Sequence, residues 1–323
     1  MMRRLATFCR VALLSWMTGL TVSAAFVLLS CKGANSTPAK FDVDADPVAL
    51  LPVGPIVVGS LDARAASASL GLGPTLGQVA ITVSPLGADA GFDPSRDVDR
   101  IVVGVYGGTP ADWVAVLGGR FDVEKLTAAT RTKNGSPVVA GTYGRFSTHT
   151  AGAQMYVPVT SRTLVAGSPD GVRRVLDRLA EGEPNRRVPP WMSEAVATAG
   201  AQLVVVGDFQ TEPVAAAALA SLNVPWMEHL QVARVVANFQ TPGLNVAATL
   251  TYSSDAEAQA ARDGIRSLGT WVRTLGPLLG GIQLQGLDVK DAARDVQCSF
   301  ALDDRSLGKL AALATRFVPA AAQ

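Results

Sequence analysis

The sequence predicts an α+β protein built from two similar units, each an antiparallel sheet with helices packed on one face. Three observations carry this. The order strand, helix, two strands, helix, two or three strands, helix occurs twice along the chain. Val98 lies 71 positions before Pro169, and Val232 lies 72 before Asp304. Val98-Asp-Arg100-Ile-Val-Val also matches Val232-Ala-Arg234-Val-Val-Ala nearly residue by residue. The competing expectation is one continuous sheet in which the order agrees by coincidence.

Unit one is expected over residues 48–182. It opens with the apolar run Pro55–Leu61, suited to a buried strand. Leu76, Val79, Ala80 and Val83 fit one helical face, ended by Pro85. The runs Val98–Tyr106 and Trp113–Phe121 read as an antiparallel hairpin. Asp122 is placed to cap a helix over Val123–Arg131. Short strands are expected near Tyr143–Ser147, Gln154–Val159 and Thr163–Ala166. Ser168-Pro169 has the form of an N-cap followed by proline in the first turn, and the helix it starts carries Val172, Val175, Leu176 and Leu179 on one face.

A polar link, residues 183–192 at its centre, separates this from unit two over residues 193–320. There a helix over Ser193–Ala199, a strand over Gln202–Phe209 and an alanine-rich helix over Pro213–Leu222 precede strands at Gln231–Phe239 and Leu244–Tyr252. Ser254-Asp-Ala-Glu257 has capping-box spacing, and the helix behind it sets Ala261, Ile265, Leu268, Val272, Leu275 and Leu279 at steps of four and three. Strands near Ile282–Val289 and Arg294–Leu302 follow. Asp304 is then expected to cap a last helix with Leu307, Leu310, Ala314 and Phe317 inward.

The amino-terminal region has a different character. Arg3, Arg4 and Arg10 form a positive segment ahead of the nearly uncharged run Val11–Leu29, the pattern of an export signal. That run ends in Leu28-Leu29-Ser30-Cys31, which resembles the lipobox of bacterial lipoproteins. The resemblance implies cleavage between Ser30 and Cys31, acylation of Cys31, a signal over residues 1–30 and a flexible tether over 31–47. An anchor of several acyl chains, each worth about 0.8 kcal/mol per buried CH₂, is effectively permanent. In that family Asp after the cysteine retains the protein in the inner membrane; Lys32 here favours the outer one. The plain alternative is that the run, about 20 residues long, stays as an uncleaved membrane helix.

Composition fits a folded exported domain. The chain has Lys+Arg 28 and Asp+Glu 27; removing the three arginines of the signal leaves 25 against 27, a net charge of −2. That balance recruits no nucleic acid. Cys9 and Cys31 belong to the signal and the anchor, so Cys298 stands alone and no internal disulfide is expected. Alternation places Cys298 on the face of Val296 and Phe300 as a small buried hydrophobe.

Catalytic and metal patterns are weak. His149 and His229 are the only histidines, too few for a histidine relay or a multi-histidine metal site. Gly167-Ser168-Pro169-Asp170-Gly171 lacks the spacing of a nucleophile elbow, and Gly71-Leu-Gly73-Pro-Thr-Leu-Gly77 lacks that of a dinucleotide loop. Asp93, Ser95, Asp97 and Asp99 have odd-position calcium spacing, but Val98 replaces the turn glycine and Gly104 the bidentate glutamate; Asp42, Asp44 and Asp46 fail similarly. No cofactor and no metal are expected.

The repeated triplets Pro190-Trp191-Met192 and Pro225-Trp226-Met227 suggest proline in a first turn with Trp and Met wedged in the core. The sharper expectation is an apolar groove between the halves lined by Trp191, Met192, Trp226 and Met227. The phrase Gly91-Phe-Asp-Pro-Ser-Arg-Asp-Val-Asp99 before a hydrophobic hairpin resembles duplicated α+β exported lipoproteins of myxobacteria and planctomycetes. Together these features predict a non-enzymatic interaction or scaffolding module. It is anchored to the bilayer through acylated Cys31 and meets an envelope protein partner. The alternative is a periplasm-facing carrier of lipid or another hydrophobic ligand.

Overall fold

Local chemistry explains the first turns of the chain. The computed structural model describes residues 42–73, 86, 90–108, 112–182, 185–210, 225–275 and 281–314. A single 3-10 turn over Pro47–Leu50 buries Val48, Ala49 and Leu50. Strand β1, Val57–Asp62, leads into α1, Ala63–Ala68, where the Asp62 carboxylate accepts from the Ala65 amide. Asp93 does the same for Ser95 at the single turn α2, Pro94–Asp97. The expected hairpin forms as β2, Val98–Tyr106, and β3, Asp112–Gly119. Asp122 caps α3, Val123–Ala128, through the Lys125 amide.

Four short strands follow: β4, Val138–Tyr143; β5, Phe146–Ala151; β6, Gln154–Pro158; and β7, Thr163–Gly167. The expected strand at Tyr143–Ser147 is instead the turn between β4 and β5, where Gly144 takes φ +57° and reverses the chain. Ser168 caps α4, Pro169–Glu181, through the Gly171 amide; Val172, Val175, Leu176 and Leu179 are all buried, and Gly182 ends the helix in the left-handed region.

Helix α5, Pro190–Val196, begins three residues earlier than expected because Pro190 occupies its first turn. Strand β8, Leu203–Asp208, a 3-10 turn at Pro225–Met227, and the hairpin β9, Leu230–Asn238, with β10, Gly243–Tyr252, come next. Helix α6 spans Asp255–Leu275, strands β11 and β12 span Leu284–Ala292 and Asp295–Asp303, and α7 spans Asp304–Ala314. The cap of α7 is Asp303, whose carboxylate accepts from the Ser306 amide; the expected cap, Asp304, instead accepts from the Gly71 amide. The helices expected at Leu76–Val83 and Pro213–Leu222 lie outside the described residues.

All twelve strands join one antiparallel sheet in the order β11-β12-β10-β9-β8-β1-β2-β3-β7-β6-β5-β4. The two expected units are therefore halves of a single sheet, sewn together where β1 pairs antiparallel with β8. Reading outward from that seam gives β1-β2-β3-β7-β6 on one side and β8-β9-β10-β12-β11 on the other, with the β4–β5 hairpin added to the first.

The halves differ in how they are covered. In the first, one face packs under α4 and α5 through Val58, Val102, Val116, Val157 and Val165. Its other face packs under α3 through Leu126, Tyr156 and Leu164. The first half thus carries helices on both faces rather than one. The physical reason is the run Ile101-Val-Val-Gly-Val-Tyr106, apolar in both parities, so neither face can be left wet. In the second half, β10 and β12 alternate strictly. Leu250, Tyr252 and Val296 pack under α6 with Ala258, Ala261 and Ile265. The opposite parity, Asn245, Ala247, Thr249 and Thr251 beside Ser299, Gln297 and Asp295, lies on the same face as α4 and α5. No described helix covers it there.

The stripe of α6 drifts from the expected one. Leu268 is 46 % exposed. Gly269 meets the sheet in its place, so closely that a Cβ there would fall 2.1 Å from Leu287 Cδ2. A straight helix turns in 3.6 residues rather than 3.5, which carries the inward line from Ile265 to Gly269.

Candidate functional site

The face of β9–β12 that no described helix covers, with the cleft beside it, forms the candidate site. Both lie on the side of the sheet that α4 and α5 occupy in the first half. Helix α5 rides over β8 and β1. At its start the guanidinium of Arg234, on β9, lies over the Trp191 ring with 4.9 Å from Cζ to the ring centroid. Beyond Arg234 a shallow depression of about 310 Å³ runs over Ala247, Thr249, Gln297, Ser299 and Lys290. Its side chains are small or polar, and Lys290 is tied to Asp288 at 2.8 Å.

At the other end of α5 a more polar cleft of about 420 Å³ opens between Thr198 and the strand ends. Arg100 donates to Ser60 Oγ from Nε at 3.3 Å and from Nη2 at 3.2 Å. Arg64 pairs with Asp99, and Asp62 is occupied with its helix cap. The cleft therefore offers two guanidinium groups and two carboxylates, a charge-balanced surface suited to hydrogen-bonded contact. Arg100 and Arg234 are the two arginines at matching positions in the repeated segment.

The expected apolar groove does not form. Met192 is fully buried in the core beneath α4 and α5, and Trp191 packs half-buried against the same core. Trp226 packs in the cluster under α6, with its carbonyl accepting from the Tyr252 hydroxyl at 2.6 Å. Met227 follows it in the same 3-10 turn and is half-buried. The first triplet opens helix α5 and the second is itself a 3-10 turn, and the two pack in clusters on opposite faces of the sheet. Ser30 and Cys31 lie outside the described residues.

Remaining candidates have structural duties. His149 is 3 % exposed, stacked on Tyr156 at 5.1 Å, and neither ring nitrogen has a hydrogen-bond partner. Burial holds its pKa below the ordinary histidine value. His229 is largely exposed with φ +60° and reaches Glu257 at 3.5 Å. Ser168 Oγ donates to Asp112, which Arg174 also pairs.

Asp93 accepts from the Ser95 amide, Asp97 from Arg96 and from the Asp93 amide, and Asp99 from Arg64. Burial of Asp97 opposes its ionisation, yet the Arg96 and Asp93 bonds hold its carboxyl below the usual range. Asp44 accepts from Thr160 and Thr163, and Asp46 pairs with Arg186. Among the described residues no three such groups are placed to hold a metal ion. Cys298 is half-buried against the α6 cluster, and burial pushes its thiol pKa up.

Two features escaped sequence reasoning. Arg178 reads as a polar helix residue but is 4 % exposed, donating to the carbonyls of Ala49 at 2.7 Å and of Asn185. The open face went unnoticed although its signal, the alternation of β10 and β12, was present. Among the described residues no helix is long and apolar enough to cross a membrane.

Comparison with known proteins identifies the fold. No family model matches the chain, and no curated protein sequence matches it. Three crystal forms of the protein TP0453 do match in structure. Form III gives a TM-score of 0.58 at 7 % identity, covering 85 % of this chain and 100 % of that one. Form I gives 0.52 at 9 %, covering 84 % and 99 %, and form IV gives 0.51 at 8 %, covering 84 % and 96 %. At these identities the likeness is one of fold: the chain is similar to TP0453 in its α+β architecture over nearly the whole of that protein.

Proposed function

We propose that this chain is an envelope lipoprotein, anchored through acylated Cys31, whose α+β body is a non-enzymatic interaction module. Its partner surface is the open sheet face of β9–β12 and the adjoining cleft. The observation that supports this best is the asymmetry of covering. One half of the sheet packs under described helices on both faces, while the other leaves the face of Thr249, Gln297, Ser299 and Ala247 without a helix among the described residues. Polar and built on paired strands, it can present hydrogen-bonding groups to a macromolecular surface.

The test has two readouts on the full chain in a bacterial host. Mass spectrometry of the membrane-extracted protein is expected to show an acylated amino-terminal fragment beginning at Cys31, lost in Cys31→Ser. An unmodified thiol or a retained signal refutes the anchor. Photo-crosslinkers at Thr249 and Gln297 are expected to capture a defined envelope protein, while one at Glu194, on α5, is not. Equal capture from all three refutes the assigned face. Lipid co-purifying in the same extract would favour the carrier reading instead.

A further inference from the structure

We propose that the outer edge of β4 receives an extended strand from a protein partner, uncharged along its middle and acidic at both ends. This deepens the interaction-module reading and rests on it, while using a different surface. Among the described residues the sheet ends in β11 and β4. Strand β11 carries Asp288, Lys290 and Asp291 and breaks register between Gln285 and Asp288, devices that keep an edge from pairing. Strand β4, Val138-Val-Ala-Gly-Thr-Tyr143, has no charge and keeps regular register with β5 throughout. Val139 on it is 61 % exposed.

The direction of its main-chain groups is fixed. The Val138 amide turns away from β5 and donates to the Thr130 carbonyl at 2.9 Å. Alternation then aims the amides and carbonyls of Ala140 and Thr142 away from β5, a ladder with no second strand among the described residues. With the Val138 end taken by Thr130, the stretch Val139–Tyr143 spans about 16 Å, room for the five uncharged residues of a partner segment.

Charge at its ends selects the occupant. Arg131 bridges opposite Pro137 at one end, and Arg145 sits in the turn at the other. Arg131 donates to the Gly135 carbonyl at 3.0 Å; Arg145 donates to the Leu179 carbonyl at 3.2 Å and lies over the Phe146 ring. Neither has a carboxylate partner among the described residues. A second copy of β4 running antiparallel would bring these arginines toward one another, whereas a strand with acidic ends would pair with both.

The probe is a fluorescein-labelled heptapeptide, acetyl-Asp-Val-Thr-Val-Thr-Val-Asp-amide, titrated by anisotropy into the full-length chain in detergent. Binding is expected, with a lysine-ended version at least tenfold weaker. Ala140→Pro removes an outward amide that makes no bond within the sheet, so the fold should hold by circular dichroism while affinity drops at least tenfold. Should that variant fail to fold, Arg145→Glu serves in its place and is expected to erase the preference for acidic ends.

Absence of binding overturns the proposal, as does equal affinity for both peptides or undiminished binding to folded Ala140→Pro. A dimer in sedimentation that disappears in Ala140→Pro would assign the edge to a second copy and overturn it as well. None of these outcomes touches acylation of Cys31 or capture at Thr249, so the module reading fails or stands separately.

Discussion

Arg178 of α4 donates through Nη2 to the carbonyl of Ala49, 2.7 Å away, and through the same nitrogen to that of Asn185. One guanidinium thereby ties the 3-10 turn Pro47–Leu50 to the segment between α4 and α5. Among the described residues no carboxylate pairs with it and Nε and Nη1 have no partner, and burial lowers its pKa. Two carbonyls would lose their donor and a cavity would open in Arg178→Ala. We expect a loss of about 2–4 kcal/mol, read as a lower urea midpoint. A change below about 0.5 kcal/mol would show that this contact is dispensable.

His149 makes stability depend on pH. Burial keeps its folded pKa below the ordinary 6.5, so between those values the unfolded chain binds a proton that the folded chain refuses. The contribution is complete above about pH 6.5 and is lost as pH falls below it. Urea midpoints at pH 7.5 and 5.5 should differ, and His149→Phe, which keeps the stack on Tyr156, should shrink that difference. An unchanged difference in the variant would place the proton uptake elsewhere.

Trp191 and Trp226 occupy opposite faces and share no packing cluster. Truncating either to alanine should cost about 2–4 kcal/mol, and the double variant should be additive within about 0.5 kcal/mol. Strong coupling between them would restore a shared groove.

The start of α7 offers a finer comparison. Asp303 accepts from the Ser306 amide at 2.7 Å, and the Ser306 hydroxyl and that amide hold its carboxyl below the usual range. Asp303→Ala should therefore cost about 1 kcal/mol. Its contribution should be full near neutral pH and fade as pH drops through the carboxylate range. Asp304→Ala, which releases the Gly71 amide and the longer 3.5 Å bond from Ser69 Oγ, should cost less; thermal melts of the two variants decide.

Much of this molecule was legible in one dimension. Ser168-Pro169 announced α4 and its buried face because cap chemistry and a 3.6-residue period are local. The β2–β3 and β9–β10 hairpins were legible for the same reason, and so was the element order that repeats from Val98 to Val232. Where period alone misled, it did so for geometric reasons: Leu268 turned outward because the helix drifts against a heptad count, and Tyr143–Ser147 became a turn at Gly144.

Tertiary structure alone decided the rest. Pairing of β1 with β8 makes one sheet where two units were expected, since an antiparallel seam between distant strands leaves no mark in either sequence. Trp191 and Trp226 pack in clusters on opposite faces of that sheet. The position of β4 at the end of the described sheet, rather than its composition, left the outward amides of Ala140 and Thr142 without partners among the described residues. An edge is a property of which strands fail to arrive, and no single stretch of chain records that.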